Sequence, residues 1–265
     1  MIDRITEQPF CQTRVSGSAL VLGDCLEVMK HISSKSVQLI LADLPYGTTA
    51  CKWDSIIPLE PLWSEYKRII KDNGAIVLTA SQPFTTKLIS SNYEMFKYEW
   101  IWIKKKSNSG FAHAKNKPLK KHESILVFSL APMGHFNLLG DKRMLYNPQG
   151  LIEINKKRNN NTFQDASFGK RPSSRNTLQM FENYPNNLLY YDVEQKGKYI
   201  HPTQKPLELM KYLIKTYSNE NDLVLDNTMG SGTTCLAAKE LNRKFIGIEK
   251  EQKYYDIAVA RICGS

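Results

Sequence analysis

Four consecutive residues, Asp43-Leu44-Pro45-Tyr46, place a carboxylate, a proline-stiffened turn and an aromatic ring directly after an apolar stretch. A carboxylate and a neighbouring backbone carbonyl can each accept one N–H of an amine, and so draw its nitrogen toward tetrahedral geometry. An aromatic ring beside them can stack on a base that has been flipped out of a duplex. Such a motif alone is more often an ordinary turn, but its residue types suit methylation of the exocyclic amine of a base.

A second motif extends from Asp226 to Thr234, where an acid is followed by a glycine-rich turn and the start of a helix. Glycines let the backbone approach a ligand closely and adopt positive φ. The next apolar stretch ends at Glu249, whose carboxylate can accept hydrogen bonds from two ribose hydroxyls. A dinucleotide fingerprint needs a third glycine where Cys235 stands. The motif therefore indicates a nucleoside or phosphate ligand, or else a structural turn.

Polar residues also precede a predicted helix, in the segment from His201 to Pro206. Thr203 can cap this helix, and Pro206 suits its first turn. Lys205 and a hydroxyl at the helix N-terminus can together hold a carboxylate. A helix cap after a loop accounts for the same residues without any ligand.

Apolar stretches alternate with segments of helical periodicity on both sides of these motifs. Strands are predicted over 19–22, 37–42, 75–79, 98–103, 124–128, 222–226 and 245–249. Helices are predicted over 25–31, 58–71, 84–91, 206–217, 233–241 and 252–262. This alternation is typical of an α/β fold with a doubly wound, mostly parallel sheet. Ligands of such sheets lie beyond the carboxyl ends of the strands, so the motifs are predicted to meet there.

The distribution of charge favours a polyanionic partner. The 265 residues include 36 Lys and Arg against 26 Asp and Glu, which gives a net charge of +10. Seven lysines fall in one stretch, 104–121, that contains no acidic residue: Lys104, Lys105, Lys106, Lys115, Lys117, Lys120 and Lys121. We interpret the stretch as a phosphate-facing loop between two strands, although a basic surface also keeps a protein in solution.

Other features restrict the class of protein. The five cysteines are scattered and form no Cys-x-x-Cys pair, which indicates neither a disulfide framework nor a zinc site. A reducing compartment fits them best. No apolar run is long enough to cross a bilayer, and the first residues do not form a signal peptide. We therefore predict a cytoplasmic protein without a membrane segment or a metal site.

In combination and order, these motifs resemble the permuted β class of amino-group DNA methyltransferases, which methylate adenine N6 or cytosine N4. The resemblance covers 18–130 and 183–262 and includes Gly23-Asp24-Cys25 and Ser81-Gln82-Pro83-Phe84. Residues 43–46 match the catalytic Asp-Pro-Pro-Tyr of the family, and 226–234 match its S-adenosylmethionine loop. Glutamine N5-methyltransferases carry a similar tetrapeptide after the cofactor turn, whereas here it comes before.

The resemblance implies a circularly permuted, Rossmann-like class I methyltransferase fold and a role for each motif. Asp43 and the Leu44 carbonyl would hold the target amine, with Tyr46 stacked on the flipped base. Glu249 would bind the ribose hydroxyls, Asp24 the adenine amine, and Lys205 with Thr203 the methionine end of the cofactor. The implied cofactor contacts are Asp24, Cys25, Asp43, Thr203, Lys205, Asp226, Met229, Gly230, Ser231, Gly232, Thr233 and Glu249.

Two departures from the family pattern affect these roles. Leu44 replaces the first proline, so the turn keeps its carbonyl but loses stiffness. Asn227 and Thr228 replace the usual Pro-Phe, so an aromatic that often covers the cofactor adenine is missing, and another side chain is expected there.

The region 131–200 is rich in Asn, Lys and Arg and has little apolar periodicity. We predict that it is a target-recognition insertion, between the halves 18–130 and 201–265 of one domain that follows an N-terminal arm, 1–17. The candidate DNA contacts come from this insertion and from the lysine-rich loop. They are Lys104, Lys105, Lys106, Lys115, Lys117, Lys156, Lys157, Arg158, Arg171 and Arg175. A solvated insertion without such contacts is the alternative.

The prediction is thus a site-specific methyltransferase that acts on double-stranded DNA by direct in-line transfer, without a covalent intermediate on cysteine. An aspartate rather than a serine at position 43 favours adenine N6 over cytosine N4. The alternatives are a cytosine-N4 methyltransferase, an RNA substrate, or an inactive relative that binds DNA and cofactor as a regulator. The resemblance also implies a homodimer and is compatible with a cognate restriction enzyme as partner.

Overall fold

The computed structural model describes residues 10–15, 17–48, 54–106, 109–134, 139–158, 177–193 and 204–264. The chain divides into two compact units, of which Pro148–Asn186 is the smaller and the remainder the larger. The smaller unit contains the antiparallel pair β7 (Ile152–Arg158) and β8 (Thr177–Glu182).

The larger unit is built on one sheet. Its strands are β1 (Cys11–Val15), β2 (Ser18–Leu22), β3 (Val37–Ala42), β4 (Ile70–Ala80), β5 (Phe96–Ile103), β6 (His122–Phe128), β9 (Leu188–Tyr190), β10 (Leu223–Asp226) and β11 (Lys244–Glu249). In the described part of the chain their spatial order is β1-β2-β11-β10-β3-β4-β6-β5-β9. The neighbours β2, β11, β10, β3 and β4 run parallel, and β6 is antiparallel to both β4 and β5.

Helices cover both faces of this sheet. They are α1 (Cys25–Met29), α2 (Leu59–Ile69), α3 (Phe84–Ser91), α4 (Leu207–Tyr217), α5 (Thr233–Glu240) and α6 (Gln252–Cys263). Residues of α1, α2 and α3 share one apolar core with the sheet, and residues of α4, α5 and α6 share a second. Every residue of β3 is buried, which explains why this strand is apolar at every position except Gln38 rather than alternating.

The predicted α/β fold with a mostly parallel sheet is confirmed, and each predicted strand and helix has a counterpart. Three differences concern strands. Residues 11–15 of the predicted N-terminal arm pair with β2 as an edge strand, and 188–190 of the predicted insertion pair with β5. β4 begins at Ile70, earlier than predicted, because Ile70 pairs with Val37 immediately after α2 ends. Short edge strands are half exposed and carry little period-two signal, so the sequence did not reveal them.

The order of the strands positions the functional motifs. β10 lies between β11, which follows it in the chain, and β3, which comes far earlier. A crevice forms beyond the carboxyl ends of parallel strands where the chain order changes direction in this way. Asp43 follows β3, and Asp226 is the last residue of β10. The two acidic motifs therefore meet at this crevice. No described helix is long and apolar enough to cross a membrane.

Candidate active site

A cavity of about 390 Å³ lies beyond the carboxyl ends of β2, β3, β10 and β11. Five acidic or basic residues of the predicted motifs line its wall: Asp24, Asp43, Lys205, Asp226 and Glu249. The volume is within the range of small-molecule and cofactor sites. The structure thus brings together in one cavity residues that are far apart in sequence.

At one end of the cavity, three side chains donate hydrogen bonds to Asp43. Its Oδ1 accepts from the Tyr46 hydroxyl at 2.8 Å and from the Thr79 hydroxyl, and its Oδ2 accepts from Lys205 Nζ at 2.6 Å. Burial, followed by the charge of Asp43, raises the pKa of Tyr46 well above its usual value, so Tyr46 remains a neutral donor. The carboxylate is therefore fixed in one orientation.

The ring of Tyr46 is held against a second aromatic ring. It stacks on Phe84, the first residue of α3, with ring centroids 5.2 Å apart and an interplanar angle of 24°. Leu44 is buried. Tyr46 is the only aromatic side chain among the described residues that line the cavity. Within the described part of the chain, no other ring replaces the missing aromatic of the cofactor turn; Ile56, Ile57 and Pro58 provide apolar wall.

Lys205 belongs to a buried network of alternating charges. Its Nζ lies 3.6 Å from Glu123 Oε2, and Glu123 Oε1 accepts from Lys104 Nζ at 2.6 Å. Burial works against the charge of Lys205, but the attraction of Asp43 and Glu123 outweighs it and raises the pKa of the ammonium. Burial likewise works against the charge of Glu123, yet Lys205 and Lys104 lower the pKa of this carboxyl. Lys205 and Glu123 are therefore both charged at neutral pH.

At the other end of the cavity, the glycine-rich turn is fixed by backbone hydrogen bonds. Met229 N donates to Ile248 O at 2.9 Å, and Gly232 N donates to Met229 O at 2.8 Å. Gly230 and Gly232 have φ of +52° and +75°, which favour glycine. A Cβ on Gly232 would also lie 2.8 Å from Ile262 Cδ1, so no other residue fits there without displacement.

Glu249 closes this turn from β11. Its Oε2 accepts from Gly230 N at 2.9 Å, and its Oε1 accepts from Glu251 N at 2.8 Å. Burial raises the pKa of this carboxyl, which means that further hydrogen-bond donors would stabilise its ionised form.

Asp226 is more deeply buried, with 4% of its surface exposed. Burial raises the pKa of this carboxyl from 3.8 to about 7, although Thr228 N donates to its Oδ1 at 3.1 Å.

Asn227 and Thr228, the two residues that depart from the family pattern, both form hydrogen bonds. Tyr66 donates to Asn227 Oδ1 at 2.6 Å, and the Thr228 hydroxyl donates to the backbone carbonyl of Asp43 at 3.1 Å. Thr228 thus ties the glycine-rich turn to the Asp43 turn.

Some predicted cofactor contacts have structural partners that the sequence did not reveal. Asp24 caps α1 by accepting from Leu26 N at 2.9 Å, and Thr233 Oγ1 accepts from Arg261 Nη1 at 2.9 Å. Burial raises the pKa of the Cys25 thiol to about 11, so it is not a nucleophile at neutral pH. Met229 and Ser231 line the cavity, whereas Thr203 lies outside the described residues.

The lysine-rich loop connects β5 and β6, as predicted, and its lysines fall into two groups. Lys105, Lys106, Lys115, Lys117 and Lys121 are exposed. Lys120 instead contacts the Ser81 hydroxyl, and Lys104 is paired with Glu123 with 12% of its side chain exposed. The ammonium of Lys104 is thus already bound inside the protein, and its place in the phosphate-facing set remains a prediction.

In the smaller unit, Lys156 and Lys157 are exposed on β7, opposite Gln179 and Leu178 of β8. Arg158 is the last residue of β7. Arg171 and Arg175 lie outside the described residues. The described residues contain no group of three or more His, Cys, Asp or Glu arranged to hold a metal ion.

Three site residues were not identified from the sequence: Thr79, Glu123 and Tyr66. Thr79 is the penultimate residue of β4, the strand next to β3, so the rule that ligands lie at carboxyl strand ends was sufficient to suggest it. Glu123 is the second residue of β6, just before Ser124 and the apolar run of that strand, a position that also suits a solvent-exposed strand start. Tyr66 lies on the apolar face of α2, where a core position and a hydrogen-bond donor look alike in sequence.

Comparison with known proteins agrees with this geometry. The family model for DNA methylases of the N6 and N4 type matches residues 37–260. The type II methyltransferase M1.MboII of Moraxella bovis is 30% identical over 89% of this chain and 92% of its own length. The type II methyltransferase M.HinfI of Haemophilus influenzae is 28% identical over 92% of this chain and 68% of its own length.

A solved structure is similar over nearly the whole chain. The M1.HpyAVI–SAM complex superposes with a TM-score of 0.60 at 25% identity, and the match covers 92% of this chain and 98% of that one. The match to the family model extends from β3, which precedes Asp43, into α6, which follows Glu249, and so includes both ends of the cavity. The chain belongs to the family of N6 and N4 DNA methylases.

Proposed function

We propose that this chain transfers a methyl group from S-adenosylmethionine to the N6 amine of an adenine flipped out of double-stranded DNA. The observation that carries the proposal is the arrangement around Asp43. A buried carboxylate, fixed by three donors beside an aromatic ring, lies in the same cavity as a glycine-rich nucleoside-binding turn.

The donor and acceptor set of the cavity fits S-adenosylmethionine. This molecule carries an ammonium, a sulfonium and two ribose hydroxyls, which are the cations and donors that buried carboxylates require. Asp226 and Glu249 are two such carboxylates, since burial raises the pKa of both. Glu249 suits the ribose hydroxyls, and Asp226 with the turn 229–233 surrounds the rest of the ligand. When bound, the cofactor supplies an electrophilic methyl group on its sulfonium.

The residues at the Asp43 end of the cavity orient the target amine. Asp43 and the carbonyl of Leu44 each accept one N–H, which directs the nitrogen lone pair toward the methyl group. Tyr46, stacked on Phe84, offers its ring to the base. Positioning and electrostatic complementarity carry the rate, and no nucleophile of the protein is needed. The choice of adenine over cytosine rests on the aspartate at position 43.

The exposed lysines of the loop, Lys105, Lys106, Lys115 and Lys117, are the proposed phosphate contacts of the larger unit. In the smaller unit, proposed as the target-recognition element, Lys156 and Lys157 have the same role. Arg158, Arg171 and Arg175 complete the proposed set, and Thr203 remains a proposed cofactor contact. Such contacts release counterions, so affinity for DNA should fall steeply as salt rises.

The test is nucleoside mass spectrometry of unmethylated DNA of varied sequence after incubation with the protein and S-adenosylmethionine. Asp43→Ala is the inactive variant. Asp72→Ala is the matched control, since Asp72 is exposed, is paired with Lys35 and does not line the cavity. The proposal is supported if the wild type and Asp72→Ala both produce N6-methyladenine and Asp43→Ala does not. Detection of N4-methylcytosine would support the assigned site but overturn the choice of adenine as the target base. Cofactor binding without any methylated base would overturn the proposed function.

A further inference from the structure

Lys205 lies between two carboxylates but is closely bonded to only one of them. Its Nζ is 2.6 Å from Asp43 Oδ2 and 3.6 Å from Glu123 Oε2. Glu123 Oε1 is taken by Lys104, whereas Glu123 Oε2 is buried and accepts no hydrogen bond from the described residues. A buried carboxylate oxygen without a donor is costly, so its presence beside an ammonium calls for an explanation.

The hydrogen bonds of Asp43 restrict where an amine can bind. Its Oδ1 already accepts from two hydroxyls, those of Tyr46 and Thr79, which fills both of its lone pairs. An incoming N–H must therefore bind Oδ2, the oxygen that Lys205 holds. In the proposed function, on which this inference rests, the amine and the ammonium would share this oxygen, one on each of its two lone pairs.

Charge makes this shared arrangement unfavourable for catalysis. The amine nitrogen becomes positive as it is methylated, and an ammonium bonded to the same oxygen would repel it in a buried site of low effective dielectric. Lys205 therefore stabilises the free protein by neutralising Asp43. If it stayed bonded to Asp43 during methyl transfer, it would destabilise the transition state.

We propose that Glu123 is a positioning residue that takes Lys205 over when the target amine binds Asp43 Oδ2. The movement is small, because shortening the Lys205–Glu123 separation from 3.6 Å to an ordinary hydrogen bond requires a shift of about 1 Å. Lys104 keeps Glu123 oriented from the opposite side. The site thus holds a lysine with two alternative carboxylate partners, one for the free protein and one for the reacting complex.

The test is a double-mutant cycle on the duplex in which the methylated base has been mapped. Wild type, Glu123→Gln, Lys205→Gln and the double variant are compared by single-turnover methyl transfer, and cofactor affinity is measured by calorimetry. Glu123→Gln should lower the transfer rate about 10- to 100-fold with cofactor affinity nearly unchanged. In the Lys205→Gln background the same change should alter the rate no more than about twofold.

The matched control is Asp222→Asn. Asp222 accepts from Lys71 at 3.0 Å in a more exposed pair, and it precedes β10, at the amino ends of the parallel strands and away from the cavity. This variant should keep the wild-type rate. If Glu123 only anchors Lys104 and the fold, its substitution will act equally with and without Lys205, and the inference fails. A wild type that methylates nothing overturns the proposed function and this inference together.

A crystal structure provides a measurement that does not depend on the variants. In the complex of wild type with the mapped duplex and S-adenosylhomocysteine, Lys205 Nζ should lie within hydrogen-bonding distance of Glu123 Oε2 and away from Asp43 Oδ2. Lys205 still bonded to Asp43, or moved to the carboxylate of the cofactor product, overturns the inference while leaving the proposed function intact.

Discussion

At one end of the cavity Asp43 is held by Tyr46, Thr79 and Lys205, whereas at the other end Glu249 accepts from two backbone N–H groups. The first end contains the cations Lys205 and Lys104, with Glu123 between them. Among the described residues, the second end has no comparable cation against Asp226, and burial raises the pKa of Asp226 and of Glu249.

This difference shows two ways of preparing a carboxylate. A carboxylate with its own counter-ion is held in one orientation before any ligand arrives, which suits a group that must act on a neutral amine. A buried carboxylate without a counter-ion is stabilised by donors and cations that a ligand brings, which suits a binding site for a cationic nucleoside. The predictions below test this distinction, from the largest expected effect to the smallest.

Asp43→Asn should have the largest effect, because the amide keeps the shape of the side chain but replaces one acceptor with a donor. We expect methyl transfer in single turnover to fall about 10³-fold or more, with cofactor affinity within a few fold of wild type. Calorimetry and a rate measurement on the same preparation separate the two quantities. A large loss of cofactor affinity would contradict the division of the cavity into two ends.

The sequence was sufficient to predict most of this arrangement. Asp43, Asp226 and Glu249 each follow or end an apolar run, and the alternation of strands and helices placed all three at the same edge of a parallel sheet. The glycines of the turn were predictable for a similar reason, since Gly232 occupies a conformation and a space that exclude other residues.

The partners of these residues were not predictable. Lys205 can bind a ligand carboxylate, Asp43 or Glu123, and the choice depends on differences of about an ångström in side-chain position. The spacing of residues in the sequence does not determine such differences. Lys104 illustrates the same limit: it is one of three consecutive lysines, yet only the structure distinguishes it, by placing it against Glu123. The sequence indicates which residues line the cavity, whereas their contact partners are determined by side-chain packing.

Asp226→Asn should change how the stability of the free protein depends on pH. The folded state keeps the Asp226 proton up to about pH 7, whereas the unfolded chain releases it near 3.8. The folded state thus binds more protons between these values, so the free energy of unfolding should fall as pH rises across them, by about 4 kcal/mol at most.

Denaturant unfolding of both proteins from pH 4 to 8 measures this effect. The asparagine variant should lack this contribution and should therefore gain stability over the wild type as pH rises toward 7. Curves that stay parallel at every pH would mean that Asp226 is already compensated in the free protein, like Asp43.

Glu249→Gln should act on binding rather than on the methyl-transfer step. The amide retains an acceptor but loses the charge and one of the oxygens that backbone N–H groups and ribose hydroxyls share. We expect the dissociation constant of S-adenosylmethionine to rise about 10- to 100-fold, with little change in kcat at saturating cofactor. Calorimetry and steady-state kinetics are the measurements. A lower kcat with unchanged affinity would assign Glu249 to the catalytic end.

Thr228→Val should have the smallest effect, because it removes only the hydrogen bond that joins the two ends. The Thr228 hydroxyl donates to the backbone carbonyl of Asp43 at 3.1 Å, and valine keeps its shape. The net cost of one such bond is about 1 kcal/mol, so kcat should fall several-fold at most and cofactor affinity should hold. A loss as large as that of Asp43→Asn would show that the ends are not independent, and that the position of the glycine-rich turn governs the orientation of the catalytic carboxylate.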